Sequence, residues 1–293
     1  MFAERRRRSI FERSFMLDPE RNRVARAAAE AALVRVVHHY GARPEFVLLG
    51  GLLPEYLCGA SEFRHAGTTD VDVQVDLEIA CGTVNGRRLE KALRNAEFQP
   101  ESGRVWRWAA HDGDDASMVV RFELLADQGD VKSREILVFD ECDALGAVNL
   151  RGTGFAARDV TTRQLTARVG DLRRTVEINV AGLAGFLMAK AAAARERRKP
   201  KDWYDIAFVL LHNDAGGPME AGRAVLERFG DESVGAARTA LDDLAANFVE
   251  PRSQGPEAYA AQMLADHPDL DRTETAGDSI VAVTMFHRML FDR

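Results

Sequence analysis

The sequence predicts an α/β (α+β) fold in which a mixed β-sheet flanked by helices is followed by a C-terminal helical domain. Two observations predict it. Up to about residue 165, strand-like segments alternate with helical ones, and residues 70–79 alternate strictly between apolar and polar side chains. After Ala181 every periodic segment has helical spacing. We therefore expect an α/β domain with an N-terminal helix at 1–165 and a mainly helical domain at 166–293.

Composition sets the broad class of the protein. The 293 residues include 39 Lys+Arg and 46 Asp+Glu, which gives a net charge of −7, and 46% of the residues are hydrophobic. These values are typical of a globular protein and argue against a disordered, collagen-like or coiled-coil chain. The acidic balance also argues against a general nucleic-acid coat protein, although it leaves room for a local basic site.

Cysteine usage and hydropathy indicate the compartment. Cys58, Cys81 and Cys142 are far apart and form no C-x-x-C motif, so neither a zinc site nor a disulfide framework is predicted. No apolar run approaches the roughly 18 residues of a membrane span. The start of the chain carries Arg5–Arg8 without the apolar segment of a secretory signal, and we interpret it as a solvated arm. We therefore expect a cytoplasmic protein that makes no contact with a membrane.

The first half of the chain alternates helices and strands. A helix is predicted from Pro19 to Tyr40, with Asp18 as its N-cap and Gly41 closing it. A short buried strand at 46–49 then runs into the pair Gly50-Gly51, so these glycines occupy a strand-to-helix turn. The other elements predicted here are a strand at 70–79, a helix at 86–96, a hairpin of strands 105–110 and 118–126, strands at 134–139 and 176–180, and an irregular segment at 149–161.

The second half is predicted to be helical. Breaks at Gly216-Gly217-Pro218 and at Pro251 separate the segments. The predicted helices cover residues 181–198, 202–212, 219–229, 233–248, 256–265 and 278–291.

Two carboxylates on the alternating strand are the first candidates for chemistry. Asp70 and Asp72 leave the same face of the strand, about 6.6 Å apart at ~3.3 Å per residue. Both could therefore reach one or two hard cations, and Mg²⁺ is usually held by one or two carboxylates together with substrate phosphates. Glu123, mid-strand in 118–126, is the candidate third acid of a two-metal site for phosphoryl or nucleotidyl transfer.

A glycine turn and a basic segment complete the candidate site. Gly50 and Gly51 would let backbone N–H groups approach a triphosphate at the start of a helix. Residues 190–201 hold six cations opposed only by Glu196, which suits a polyphosphate, although a solvated helix end explains them equally. Asp202 is also a candidate N-cap of the following helix. For His65 we favour a loop hydrogen bond over a nucleotide contact.

Taken together, these motifs resemble a known family. Phe46-Val-Leu-Leu-Gly-Gly51 followed by His65-Ala-Gly-Thr-Thr-Asp-Val-Asp-Val73 looks like the nucleotidyltransferase fold, in the branch of AbiEii/AbiGii-type toxins. Lys190-Ala-x-Ala-x-Arg195 and Lys199-Pro-Lys-Asp-Trp-Tyr-Asp-Ile206 are similar to a second block of the same family. The motifs span roughly residues 46–206. G-G replaces the G-S of many members, which removes one hydroxyl contact to the triphosphate.

The resemblance implies a role for each matching residue. Asp70, Asp72 and Glu123 would be catalytic and would bind Mg²⁺ or Mn²⁺, with Lys190 on the phosphates. Asp205 would be catalytic, orienting Lys190 or acting near the acceptor. The nucleotide-binding set implied is Gly50, Gly51, Thr69, Lys190, Arg195 and Asp202.

The function predicted from these residues is transfer of an NMP from an NTP to an acceptor hydroxyl. The resemblance implies an acceptor such as the 3′ end of RNA or tRNA, a protein or a small molecule, and a toxin-like role with a cognate antitoxin as partner. Two alternatives stay open. One is a catalytically silent nucleotide- or RNA-binding protein of the same fold, and the other is an antibiotic-type small-molecule nucleotidyltransferase.

Overall fold

A computed structural model describes residues 23–75, 83–111 and 118–292 of the chain. Within these ranges it contains one nine-stranded mixed sheet and ten α-helices. The strands are β1 Val47–Leu49, β2 Asp70–Gln74, β3 Gln99–Glu101, β4 Arg104–His111, β5 Val119–Ala126, β6 Ile136–Val138, β7 Gly146–Asn149, β8 Val160–Val169 and β9 Leu172–Ala181. The helices are α1 Arg23–Tyr40, α2 Leu53–Leu57, α3 Thr83–Asn95, α4 Gly154–Arg158, α5 Leu183–Arg197, α6 Pro200–His212, α7 Pro218–Phe229, α8 Gly235–Ala246, α9 Gln254–Asp266 and α10 Arg272–Phe291.

The sheet places β2 at its centre. Its strand order is β3-β4-β5-β2-β1-β9-β8, and β7 pairs with both β5 and β6. β2 runs antiparallel to β1 and parallel to β5, while β1 runs parallel to β9. The predicted mixed sheet flanked by helices is therefore confirmed, and the predicted pairing of the strands at 105–110 and 118–126 is antiparallel as expected.

Alternation along β2 divides the strand between the core and the site. Val71 and Val73 are fully buried in the core, whereas Asp70 and Asp72 on the other face are only partly buried. Leu48 on β1 is also fully buried. The strand therefore stays in register because its valines must face the core, and that requirement directs both carboxylates to the opposite side.

The β8–β9 hairpin differs from the sequence prediction. An irregular segment was expected at 149–161 and a short strand at 176–180, but β8 and β9 each have ten residues. β8 is the outer strand of the sheet, and Leu165 is its one buried residue. An exposed edge strand lacks the regular apolar alternation that reveals a half-buried strand. The domain boundary expected at 165/166 falls inside β8, so we propose to place the division after Ala181.

The helical part matches its prediction closely, with two corrections. α6 begins at Pro200 with Lys199 at the N-cap position, so Asp202 lies in the first turn and the predicted N-cap role is wrong. α10 begins at Arg272, earlier than predicted, because the Asp271 carboxylate accepts hydrogen bonds from the N–H groups of Thr273 and Glu274.

Several expectations concern residues outside the described ranges. These are the Arg5–Arg8 arm, the Asp18 cap and the continuation of β2 beyond Val75. Among the described cysteines, Cys58 and Cys142 are free thiols. Across residues 23–75, 83–111 and 118–292, no helix combines the length and hydropathy that crossing a bilayer requires.

A buried histidine in α6 gives a test of the helical packing. Burial lowers the pKa of His212 from 6.5 to about 4, and its ring contacts Phe63, Phe208 and the Tyr259 hydroxyl. The unfolded chain therefore takes up this proton first, so stability present above pH 6.5 is lost as the pH falls toward 4. Between about pH 7.5 and about pH 5 this group should lower the free energy of unfolding by about 2 kcal/mol.

Urea unfolding at the two pH values measures this effect. His212→Gln should reduce the pH dependence of the free energy of unfolding by about that amount. An equal pH dependence in the wild type and His212→Gln would contradict the assignment.

Candidate active site

Neighbouring strands bring the three predicted acids to one cavity. Asp70 and Asp72 lie on β2, and the register of the sheet places Glu123 on β5 directly beside Asp72. All three line a polar cavity of about 270 Å³. The structure therefore brings Glu123 beside the two aspartates, from which it is more than fifty residues away in the sequence.

The glycine turn lies directly against one of these carboxylates. Gly50 follows β1 with a φ of +82°, a left-handed conformation that favours glycine. A Cβ atom at this position would lie 2.0 Å from Oδ2 of Asp72. At Gly51 a Cβ would lie 3.0 Å from the Cβ of Thr68, which leaves little room. The backbone can approach the acid this closely only because the turn has no side chains.

Helices α5 and α6 contribute a buried ion-pair network to the same cavity. Nζ of Lys190 lies 2.6 Å from Oδ2 of Asp205 and 3.1 Å from Oδ1 of Asp202. Both aspartates are fully buried, and Asp205 also accepts a contact of 2.9 Å from Nε2 of His65. Burial by itself raises the pKa of Asp202, but Lys190 and Arg197 outweigh it and hold that pKa below its ordinary value.

The structure places Arg197, rather than Arg195, at the site. Nη2 of Arg197 lies 2.7 Å from Oδ1 of Asp202, and Arg197 lines the polar cavity. Arg195 is exposed and lies away from this cavity. On an α-helix the residue seven positions after Lys190 shares its face, whereas the residue five positions after it does not. The structure therefore does not bring Arg195 to this cavity, and helical periodicity selects Arg197 instead.

Thr69 is likewise not in the cavity wall. Its hydroxyl is buried without a hydrogen-bond partner among the described residues, and its carbonyl accepts the N–H of Arg121. Thr68 lines the cavity instead, and its hydroxyl accepts the N–H of Asp70 at 3.0 Å. Asp202 also lies behind the wall, because its oxygens face Lys190 and Arg197.

Basic side chains surround the acids, and two of them, Arg107 and Arg121, lie outside the predicted basic segment 190–201. Nη2 of Arg107 on β4 lies 2.6 Å from Oε1 of Glu123, and Nζ of Lys201 on α6 lies 3.4 Å from Oδ2 of Asp70. Arg121 lies 4.0 Å from Asp70. Arg107 occupies the register position opposite Glu123, so the predicted pairing of β4 with β5 already contained this contact.

The fit of a divalent cation rests on two carboxylates. Among the described residues there is no cluster of three or more His, Cys, Asp or Glu side chains placed to hold a metal ion. Glu123 is turned toward Arg107, so the expected three-carboxylate centre is not assembled. Asp70 and Asp72 share one face beside the glycine turn, and two such oxygen donors with substrate phosphates suit Mg²⁺.

Charge in this part of the site is incompletely balanced. Burial and the nearby charge of Asp70 raise the pKa of Asp72. Burial and the charge of Asp72 raise the pKa of Glu123 to about 7, although Arg107 opposes the shift. Both shifts express the cost of holding neighbouring negative charges away from water. A bound cation would relieve that cost.

A second, larger cavity adjoins the first. Its volume is about 600 Å³, and it shares with the polar cavity Asp72, Arg107, Glu123, Lys190, Arg197 and Lys199. The rest of its wall is mostly apolar and includes Trp106, Leu125, Ile136, Val148, Leu150 and Phe186. Trp106 lines this cavity with the guanidinium group of Arg107 over its ring. Asp72 and Glu123 therefore lie between a charged cavity and a mostly apolar one.

Comparison with known proteins supports the resemblance seen in the sequence. Residues 148–279 match the family described as "Nucleotidyl transferase AbiEii toxin, Type IV TA system", and the predicted resemblance is thereby confirmed. The match includes the Lys190 network, whereas the glycine turn and the three strand acids lie before it. No curated protein matches the sequence.

One solved structure is also similar to this chain. It is described as "Crystal structure of putative nucleotidyltransferase from H. pylori" and is 15% identical, covering 91% of this chain and 96% of that chain with a TM-score of 0.41.

The close approach of Gly50 to Asp72 can be tested by adding one methyl group. Gly50→Ala combines a strained backbone with a clash at Oδ2 of Asp72, so it should displace the carboxylate and abolish nucleotidyl transfer. Gly170 has a similar φ of +60° with open space around its Cβ position, which makes Gly170→Ala the matched control. The control should lose only about 1 kcal/mol of stability and keep its activity.

Initial rates and thermal unfolding of the two variants measure the difference. If Gly50→Ala transferred NMP as fast as Gly170→Ala, the close contact between Gly50 and Asp72 would not be needed for activity.

Proposed function

We propose that this chain, a nucleotidyltransferase of the AbiEii type, moves an NMP from an NTP to an acceptor hydroxyl with the help of a divalent metal ion. The observation that carries the proposal is the meeting of Asp70, Asp72 and Lys190 at the wall of one polar cavity. Acidic groups for a cation and an amine for phosphates are what a bound metal–triphosphate requires.

Asp70 and Asp72 are the proposed ligands of Mg²⁺ or Mn²⁺. When bound, such an ion would neutralise the phosphate oxygens and the charge that develops on the leaving group. Lys201 pairs with Asp70, and its long flexible side chain would carry the ammonium group to a phosphate when a cation takes its place.

The triphosphate is assigned to the polar cavity and the nucleoside to the apolar one. Lys190, Arg197, Lys199 and Lys201 form the cationic side of the polar cavity, opposite the acids. Trp106 and Phe186 give the larger cavity the apolar surface on which a base is favoured. The α-phosphate would then lie near Asp72 and Glu123, which belong to both cavities.

Transfer proceeds by in-line displacement at the α-phosphorus. The acceptor oxygen forms a bond to phosphorus while the bond to the β-phosphate oxygen breaks and pyrophosphate leaves. Glu123 is the group assigned to orient the acceptor hydroxyl and take its proton, since its pKa is raised to about 7. Most of the rate would come from positioning and charge neutralisation.

Removing both proposed metal ligands tests the assignment. Asp70→Asn together with Asp72→Asn should reduce NMP transfer from a radiolabelled NTP to background, because the amides cannot replace two anionic donors. The melting temperature should be unchanged or slightly higher, because the two neighbouring carboxylates repel each other in the wild type.

The control is another acid-to-amide change far from the cavities. Asp171 lies at the exposed tip of the β8–β9 hairpin, and Asp171→Asn should keep wild-type transfer. Transfer at the wild-type rate in the Asp70/Asp72 double variant would refute the metal assignment.

The acceptor and the partner are identified by two further experiments. Incubating the protein with each of four labelled NTPs, total tRNA and lysate separates nucleic-acid, protein and small-molecule acceptors by product size.

The family name includes a toxin–antitoxin system, so we propose an antitoxin as partner. Growth arrest on expression, relieved by the product of the adjacent reading frame, would support that proposal.

One observation favours a second candidate, a nucleotide-binding protein without turnover. Glu123, the acid proposed to act on the acceptor hydroxyl, already forms an ion pair with Arg107. Isothermal titration distinguishes the two functions. NTP binding that needs neither Mg²⁺ nor Asp70 favours the silent binder, and binding that needs both favours the transferase.

A further inference from the structure

A buried histidine connects the loop before β2 to the Lys190–Asp205 pair. His65 is 1% exposed and precedes Asp70 by five residues. We propose that His65 is a positioning residue, whose Nε2–H holds the Asp205 carboxylate so that Lys190 stays at the wall shared by the two cavities. This inference rests on the proposed function and adds a residue to it.

The contacts of the imidazole assign its tautomer. The N–H of Gly67 donates to Nδ1 at 3.2 Å, so Nδ1 carries no proton. A neutral ring then has its proton on Nε2, which lies 2.9 Å from Oδ1 of Asp205 and donates to it. One backbone N–H in the loop thus determines which ring nitrogen faces the carboxylate.

Packing holds the ring in that orientation. The imidazole stacks on Tyr204 with centroids 5.0 Å apart and meets the edge of Phe208 at 5.2 Å. The hydroxyl of Tyr204 accepts the N–H of Ala66, the residue after His65. The loop and the first half of α6 are therefore joined by both apolar and polar contacts around this ring.

The consequence for Lys190 follows from the two oxygens of Asp205. Oδ1 accepts from His65, and Oδ2 accepts from Lys190 at 2.6 Å, so each oxygen has a donor and the carboxylate cannot rotate without losing one. Asp202 competes for the same ammonium group at 3.1 Å. Without the His65 donor, the Asp205 carboxylate would lose one of the contacts that orient it, and Lys190 would shift toward Asp202, away from the phosphates.

The same loop also delivers the proposed metal ligand. Thr68, three residues after His65, accepts the N–H of Asp70 through its hydroxyl. Anchoring His65 on Asp205 therefore fixes the separation of the phosphate-binding amine from the carboxylate. A histidine that served only packing would not need its two ring nitrogens bonded to Asp205 and to the N–H of Gly67.

Two amide variants separate positioning from packing. In His65→Gln the side-chain amide extends far enough to donate to Asp205, whereas in His65→Asn it is shorter and cannot reach. We expect His65→Asn to lower kcat/KM about 10- to 100-fold, the effect of losing one charge-assisted hydrogen bond. His65→Gln should recover most of that loss, and both variants should have similar melting temperatures. Equal kcat/KM in His65→Asn and the wild type, or equal losses in both variants, would overturn the proposal.

A measurement on the wild type keeps the test independent of folding and of activity. In ¹⁵N histidine NMR, with the signal of His65 assigned by its disappearance in His65→Gln, the ring should carry its proton on Nε2. A proton on Nδ1 overturns the proposal. If the wild type transfers no NMP, the proposed function fails by itself. NTP affinity from isothermal titration then decides the role of His65, because equal affinity in His65→Asn and the wild type would overturn it.

Discussion

The structure of the site depends on one buried ammonium group. Lys190 lies between two fully buried aspartates, and breaking a buried pair by removing one partner leaves an uncompensated charge that typically costs several kcal/mol. The network therefore locks α5 against α6. Because Lys201 follows Lys199 at the start of α6 and contacts Asp70, this lock also fixes the helical part against the central strand of the sheet.

A second constraint acts from the side of the sheet. The valines of β2 must face the core, so the carboxylates that alternate with them must face the cavity. Because Gly50 has no side chain, its backbone can lie close to the Asp72 carboxylate. The same alternation on β5 and β4 brings Glu123 and Arg107 into register. The site is thus a result of strand register as much as of the chemistry of single residues.

Elements with a clear hydrophobic periodicity could be predicted from the sequence. Features that depend on how the strands are ordered in the sheet could not. The alternating strand, the glycine turn and the helices after Ala181 follow from local patterns, and the structure contains them. The β8–β9 hairpin was missed because an exposed edge strand carries no buried face to reveal it.

The same distinction applies to the site. Arg195 was selected from spacing in a motif, whereas the three-dimensional face of α5 presents Arg197. Lys201 contacts Asp70 across 131 residues of sequence and His65 contacts Asp205 across 140, and no local pattern encodes a contact of that range. The pairing of Glu123 with Arg107 could have been derived from the predicted hairpin, but only with its exact register.

The path of the chain through the sheet has a consequence for how the molecule unfolds. β9, which comes directly before the helical part, lies beside β1 from the start of the chain, and one continuous hydrophobic core includes residues from both. Cutting the chain between β9 and the helical part would expose that core. It would also place Lys190 and Asp70 on different fragments. The protein should consequently melt in a single cooperative step, and neither piece should survive proteolysis after separation.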